Sequence, residues 1–326
     1  MDSSSLLDIS TSLAAERRLL RGQICKWYNP LMTEAMEPNP LQAPSDIHLN
    51  EPRWETVRDV NKYNAILGAG AVAIEMQLAH PFVAQAIEDA GYFTNDPLRR
   101  LRETARAGID LIFAEPREAE AVARRVQGMH MKVDSKQLSD RILKEDLGPH
   151  YKAGDPYSAN DQEAQKWVAA SIVYASFKGY ETFVGPLSDE RKQQYLTEVK
   201  ELFATMGLHE PLPNTEEDLN AYIQGMIDDQ KVIVSEAARK LSPKVLIHGV
   251  FPGSEVAASY LKLTTIALMP EKLRKQYGSH AGLQKLTPNQ LRAFDLSAKA
   301  IRKALRYLPG VVTLNSRARE ATKRNS

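Results

Sequence analysis

From Trp54 onward the apolar residues recur at intervals of three and four and almost nowhere alternate in twos, so the chain predicts helix after helix and very little strand. The most informative pair lies between Asp96 and Val133. Its second helix opens with Pro116 at a first-turn position and repeats Ala119, Val122, Ala123, Val126 and Val133 on one face. The turn Phe113-Ala114-Glu115-Pro116 joins it to the first. In an antiparallel hairpin turning there, positions whose numbers sum to about 230 face one another at similar height. Arg100 and His130 satisfy that condition, and Thr104 stacks one turn from Arg100 on the same face. His130 lies on the apolar stripe. An imidazole level with a guanidinium and a hydroxyl fills a core poorly unless each polar group finds a partner, and something polar or metallic between the helices would supply one.

The same pattern organises the rest. Residues 6 to 27 read as an amphipathic helix ended by Asn29-Pro30. Pro38, Pro40, Pro44 and Pro52 then forbid regular structure and predict an arm wrapped over the body. After the hairpin a polar, loop-rich passage runs from Asp134 to Pro156, followed by a long helix from Ser158 to Tyr180 carrying Trp167, Ser171 and Tyr174 near one face. Ser188 and Thr215 are expected N-caps, and Thr287-Pro288-Asn289-Gln290 has the spacing of a capping box. The expected fold is all-α: a single large multi-helix domain over 61–326 of about a dozen helices, with residues 1–60 as an N-terminal helix and proline-rich arm.

Gly68-Ala69-Gly70-Ala71-Val72-Ala73 fits a glycine-rich dinucleotide fingerprint, which needs a βαβ unit and an acidic residue about 20 positions on. Glu88 has the spacing, but Phe82 to Ala90 reads as helix. The favoured reading is that small residues let a helix approach another backbone, or a flat ligand, closely.

Composition narrows the function classes. The 42 basic and 41 acidic residues balance to a net charge of +1, which argues against nucleic acid or an acidic membrane surface as main partner. The basic cluster Arg317, Arg319, Lys323 and Arg324 is explained at least as well by a solvated helix face. Cys25 is the single cysteine, so intramolecular disulfides and multi-cysteine metal sites are excluded. Charges interrupt the N-terminal apolar residues, and Val245 to Met269 is broken by His248, Pro252, Glu255 and Lys262; no signal peptide or membrane span is expected. The expected location is cytoplasmic.

Neither a Walker A pattern nor a His-Glu-x-x-His motif occurs, and the seven histidines are too scattered to assemble a multi-histidine metal site. A cofactor needing one histidine, such as haem, is the economical alternative. Several short motifs converge on it. Leu78-Ala79-His80-Pro81, Asp96-Pro97-Leu98 with Arg100 and Thr104, Arg124-Arg125-Val126 before His130, Tyr157-Ser158-Ala159-Asn160-Asp161, Trp167-Val168, Gly185-Pro186-Leu187-Ser188, and Met269-Pro270 with Leu273-Arg274 together resemble the helical haem-oxygenating family. That family includes rubber oxygenase (latex-clearing protein) and the ER-bound oxygenase of mycophenolic acid biosynthesis. The similarity spans roughly residues 60 to 325.

The resemblance implies haem b held by His130 as iron ligand, with Arg100 and Thr104 on the distal side and O2 as co-substrate. His80 matches a family motif and is expected to be a core histidine hydrogen-bonded at a helix end. Two departures bear on chemistry. Glu103 stands where the rubber-cleaving branch can carry a lysine before the distal threonine, which makes it a candidate proton donor or acceptor if it enters the pocket. Ala169 follows Trp-Val where many relatives have histidine, and the fungal enzyme's membrane anchor has no counterpart. The resulting expectation is an oxygenase acting on a lipophilic small molecule, an isoprenoid or other alkene-bearing metabolite, by oxidative C=C cleavage. Hydroxylation or another haem-dependent oxidation, a non-catalytic haem-binding or sensor protein, and a haem-free ligand-binding protein are the alternatives.

Overall fold

The computed structural model describes residues 54–90, 97–134, 141–248, 255–278, 283 and 285–324; at 97–102, 132–134, 247–248 and 255–257 it describes the backbone only. The expected helix over 6 to 27 and the proline-rich arm lie outside these residues. All described residues fall within one compact unit, His48–Ser326.

Among the described residues there are fourteen α-helices and one 3-10 helix, and no strand beyond isolated bridges. In chain order they are α1 (Glu55–Asn61), the 3-10 helix Asn64–Ala69, α2 (Gly70–Leu78), α3 (Pro81–Asp89), α4 (Pro97–Phe113), α5 (Pro116–Asp134), α6 (Gln162–Phe183) and α7 (Asp189–Ala204). The remainder are α8 (Glu216–Asp228), α9 (Glu236–His248), α10 (Glu255–Leu268), α11 (Glu271–Tyr277), α12 (Pro288–Leu305), α13 (Gly310–Thr313) and α14 (Ser316–Arg324). The all-α expectation holds.

Local signals explain many of the starts. Asp161, Ser188 and Thr215 each accept a backbone N–H of the first turn, and Thr287 with Gln290 forms the full reciprocal capping box. The long helix therefore begins at Gln162, capped by Asp161, a few residues later than the apolar pattern alone suggests.

The core forms around α2 and α6, which pack on each other, with α9 and α10 completing the cover of α2. Helix α6 is buried on most sides through Trp167, Ala170, Ser171, Val173 and Phe177, as expected of a helix whose small residues admit neighbours all round. Trp167 Nε1 donates to the Met76 carbonyl at 2.7 Å and ties α6 to α2. The glycine-rich stretch is helical and no strand occurs among the described residues, so the dinucleotide reading fails. Close approach does occur there, yet at Ala69: a Cβ added to Gly179 of α6 would stand 2.8 Å from the Ala69 Cβ.

No single described helix is long and apolar enough to cross a membrane. Residues Asn64–Leu78 and Pro81–Asp89 pass that test only together, and they bend by 99° where they meet. Their apolar residues Val72, Met76, Leu78 and Ala84 are in the protein core.

Candidate functional site

Helices α4 and α5 form the antiparallel hairpin expected from the sequence. Ala114 still donates to Asp110, and Glu115 accepts from Ala119, so the chain reverses within two residues and Pro116 starts α5 where its missing N–H costs nothing. The turn end is densely held. Leu111, Phe113, Ala114, Ala119, Val122 and Ala123 are buried. The last carbonyls of α4 are satisfied by cations: Ile112 accepts from Arg58 Nε at 2.9 Å and Phe113 from Arg324 at 2.8 Å. Two guanidinium groups at a helix C-terminus oppose its partial negative charge.

Helix α14 completes this clamp. Arg317 donates to Asp110 at 2.7 Å, to Glu118 at 2.5 Å and to Glu320 at 3.2 Å, while Ala318 and Ala321 pack on Phe113. Its acidic partners push the Arg317 guanidinium pKa up further. The tail's basic cluster is therefore not simply a solvated face. Arg317 and Arg324 hold the hairpin turn, and Arg319 bonds the Val311 and Leu314 carbonyls.

Away from the turn the hairpin becomes progressively less buried. On α5 the stripe continues through Val126 to His130, both half-buried, with Met129 and Met131 on either side of His130 exposed at 40% and 50%. Gln127, one turn before His130, donates to the Thr205 carbonyl at 3.0 Å and pins this half of α5 to the end of α7. On α4, Ala105 and Ala107 are half-buried, whereas Glu103 and Thr104 are exposed. Arg100 belongs to the backbone-only part of α4. With the reversal centred on 114–115, Arg100 and His130 both lie ~22 Å along their helices from the turn. The hairpin thus places the two positions at the same height. An imidazole on an apolar stripe, flanked by methionines, suits a flat, largely apolar group with one coordination demand.

Among the described residues no three His, Cys, Asp or Glu side chains gather where they could hold a metal ion. Of the other histidines with described side chains, His150 bonds the Asp229 carbonyl and His209 is exposed.

His80 is a core residue at the N-cap of α3, as expected, but without the expected hydrogen bond. Its ring is 1% exposed, lies edge-on to Phe82 and Tyr151, and neither nitrogen finds a partner among the described residues. Burial pushes its pKa down to about 3, so it is neutral.

The sequence reading passed over Glu75, fully buried on α2. The Ser242 hydroxyl of α9 and the Tyr277 hydroxyl of α11 adjoin its carboxyl, but burial dominates and raises its pKa to about 8. Tyr277 donates instead to the Glu75 backbone carbonyl at 2.6 Å. The signal was present: Glu75 is the only Asp, Glu, Lys or Arg between Lys62 and Glu88. Helix α9 packs on α2, α3 and α4, and so joins this polar spot to the hairpin's own helix.

The hairpin, the core around α2 and α6, and most of α12 all lie within a span, residues 58–303, that matches the family described as the catalytic domain of ER-bound oxygenase mpaB/B′ and rubber oxygenase. The chain belongs to this oxygenase family, which makes it an oxidoreductase of the oxygenase type. No curated protein and no solved structure matches it. The match starts where the resemblance does, and ends before the α14 clamp.

Proposed function

We propose that the chain is a haem b-dependent oxygenase that uses O2 to cleave a C=C bond in a lipophilic, alkene-bearing small molecule. The observation that supports this best is the placement of His130 on the half-buried apolar stripe of α5, level with Arg100 across the hairpin of an oxygenase-family domain. A cofactor that brings four of its own donor atoms asks the protein for only one, which agrees with a single histidine at this place.

In this reading an imidazole nitrogen of His130 would hold the haem iron, and the bound haem would supply the redox chemistry that O2 requires. Val126 would contribute to the apolar wall beside the reacting double bond. Arg100, level with His130 on α4, would donate a hydrogen bond to negative charge developing on the oxygen substrate. The clamp of Arg58, Arg317 and Arg324 holds the turn end of the helix that carries Arg100. Glu103 and Thr104 are both exposed, so neither is assigned a part in the chemistry.

Oxygen uptake by the purified protein with a long-chain polyisoprenoid, and detection of carbonyl products, tests the reaction. Uptake with stoichiometric carbonyl formation supports cleavage. Hydroxylated product with an intact double bond would replace cleavage by hydroxylation, and haem without any uptake on a series of lipophilic alkenes would leave a haem-binding protein.

A further inference from the structure

Helix α12 carries a basic stripe that leads into an apolar tip. Arg292, Leu296, Lys299, Lys303 and Arg306 follow one another at intervals of four and three, all exposed, within an arc of roughly 80° at 100° per residue. Among the described residues no acid forms an ion pair with any of these four cations; Asp295 lies at the flank of the stripe and Glu320 is engaged by Arg317. Immediately beyond come Tyr307, Leu308, Val311 and Val312, exposed at 78%, 46%, 65% and 56%.

This tip is held in place. Asn64 donates to the Val312 and Leu314 carbonyls, Arg319 to that of Val311, and the buried Thr313 hydroxyl to that of Pro309. Leu314 bridges to Tyr63. The carbonyls of Pro309, Val311, Val312 and Leu314 are thus satisfied while four apolar side chains are exposed. Charges of one sign beside a fixed apolar wedge complement a surface that is anionic at its face and hydrocarbon beneath. Nucleic acid would match the charges but leave Leu308, Val311 and Val312 without a partner.

We propose that the α12 stripe and the Tyr307–Val312 tip form a peripheral docking surface for an anionic lipid bilayer: Lys299, Lys303 and Arg306 meet the headgroups while Tyr307, Leu308, Val311 and Val312 enter the acyl boundary. The net charge of +1 over the whole chain conceals this local stripe. The tip lies beyond the span matched by the oxygenase family, and the surface stands independently of the haem reading.

Sedimentation of the purified full chain with vesicles tests it. Binding is expected to phosphatidylcholine vesicles containing roughly 30% phosphatidylserine, little to phosphatidylcholine alone, and less as salt rises. Reversing Lys299, Lys303 and Arg306 to Glu together is expected to weaken binding on the order of a hundredfold or more. Replacing Tyr307, Leu308, Val311 and Val312 together by Ser is expected to weaken it on the order of tenfold, with unchanged helix content by circular dichroism. No sedimentation of the unaltered protein with anionic vesicles would overturn the proposal, as would binding that neither variant changes. So would tighter binding to an oligonucleotide, or a dimer in light scattering that the serine variant dissociates, since another partner would then own the surface.

Discussion

Arg317 donates from Nε to a carboxylate oxygen of Asp110 at 2.7 Å, across 207 residues of sequence. Asp110 lies one turn before the end of α4, so the C-terminal helix holds the turn of the hairpin that carries Arg100 and His130. Asp110 is also approached by Arg106 at 3.5 Å, but the Arg317 contact is the shorter and less exposed one. Arg317→Ala is expected to lower unfolding stability by about 2 kcal/mol, in the range of a hydrogen bond to a charged group whose partner is left largely buried. Urea unfolding measures this, and an unchanged midpoint would make the clamp a surface ornament.

Close approach of the 3-10 helix to α6 makes a second prediction. Gly179→Ala puts a methyl 2.8 Å from the Ala69 Cβ and 3.6 Å from Ile66, so the two helices must separate. Overpacking of this kind costs about 1–3 kcal/mol. Gly179→Ala should show a lower thermal midpoint, and the double change Gly179→Ala with Ala69→Gly should recover part of it.

Glu75 and His80 give opposite pH dependences. The folded pKa of Glu75 is raised to about 8 by burial, so the folded state holds a proton that the unfolded state releases above its ordinary value of 4.5. Its contribution is fully present below that value and is lost as pH rises toward about 8, at about 1.4 kcal/mol per pH unit for one proton. His80 is depressed to about 3 from 6.5. Its contribution is present above 6.5 and is lost as pH falls toward 3. The two slopes cancel between 4.5 and 6.5, leaving a net decline from 6.5 to 8. Glu75→Gln removes the first slope, so relative to the unaltered protein it should gain stability steadily as pH is raised from 5 to 8. A constant difference across that window would show that Glu75 is ionised in the folded protein.

Arg100→Ala tests the distal half of the proposed site. Haem content should be kept because His130 is untouched, while turnover with a competent alkene should fall on the order of a hundredfold, the usual cost of one preorganised donor. Thr104→Val, at an exposed position, should leave turnover unchanged. Unchanged kinetics in Arg100→Ala would remove α4 from the chemistry.

What could be read from sequence was what is local. Ser188, Thr215 and the Thr287–Gln290 box cap helices because their partners lie within three residues, and the hairpin turn follows from Pro116 and the apolar period. Long-range polar pairing leaves no such period. Glu198 accepts the backbone N–H groups of Thr56 and Val57 at the start of α1, more than 140 residues away, and Arg317 and Arg324 reach the end of α4 from the tail. The tail cluster therefore read as a solvated face, and Glu75 drew no notice in its apolar run. At the candidate site, the level pairing of positions 100 and 130 was legible from helix geometry, whereas the exposure of Glu103 and Thr104 depends on how α4 rotates against α5 and α9, which spacing alone does not set.

The most direct measurement is the absorption spectrum and pyridine-haemochrome content of the purified protein beside its His130→Ala variant. The account predicts a Soret band and one haem b per chain in the unaltered protein. It predicts loss of most haem in the variant, with helix content retained because His130 lies beyond the buried end of the hairpin. Full haem occupancy and an unchanged spectrum in His130→Ala, or no haem in the unaltered protein after expression with haem supplied, would contradict it.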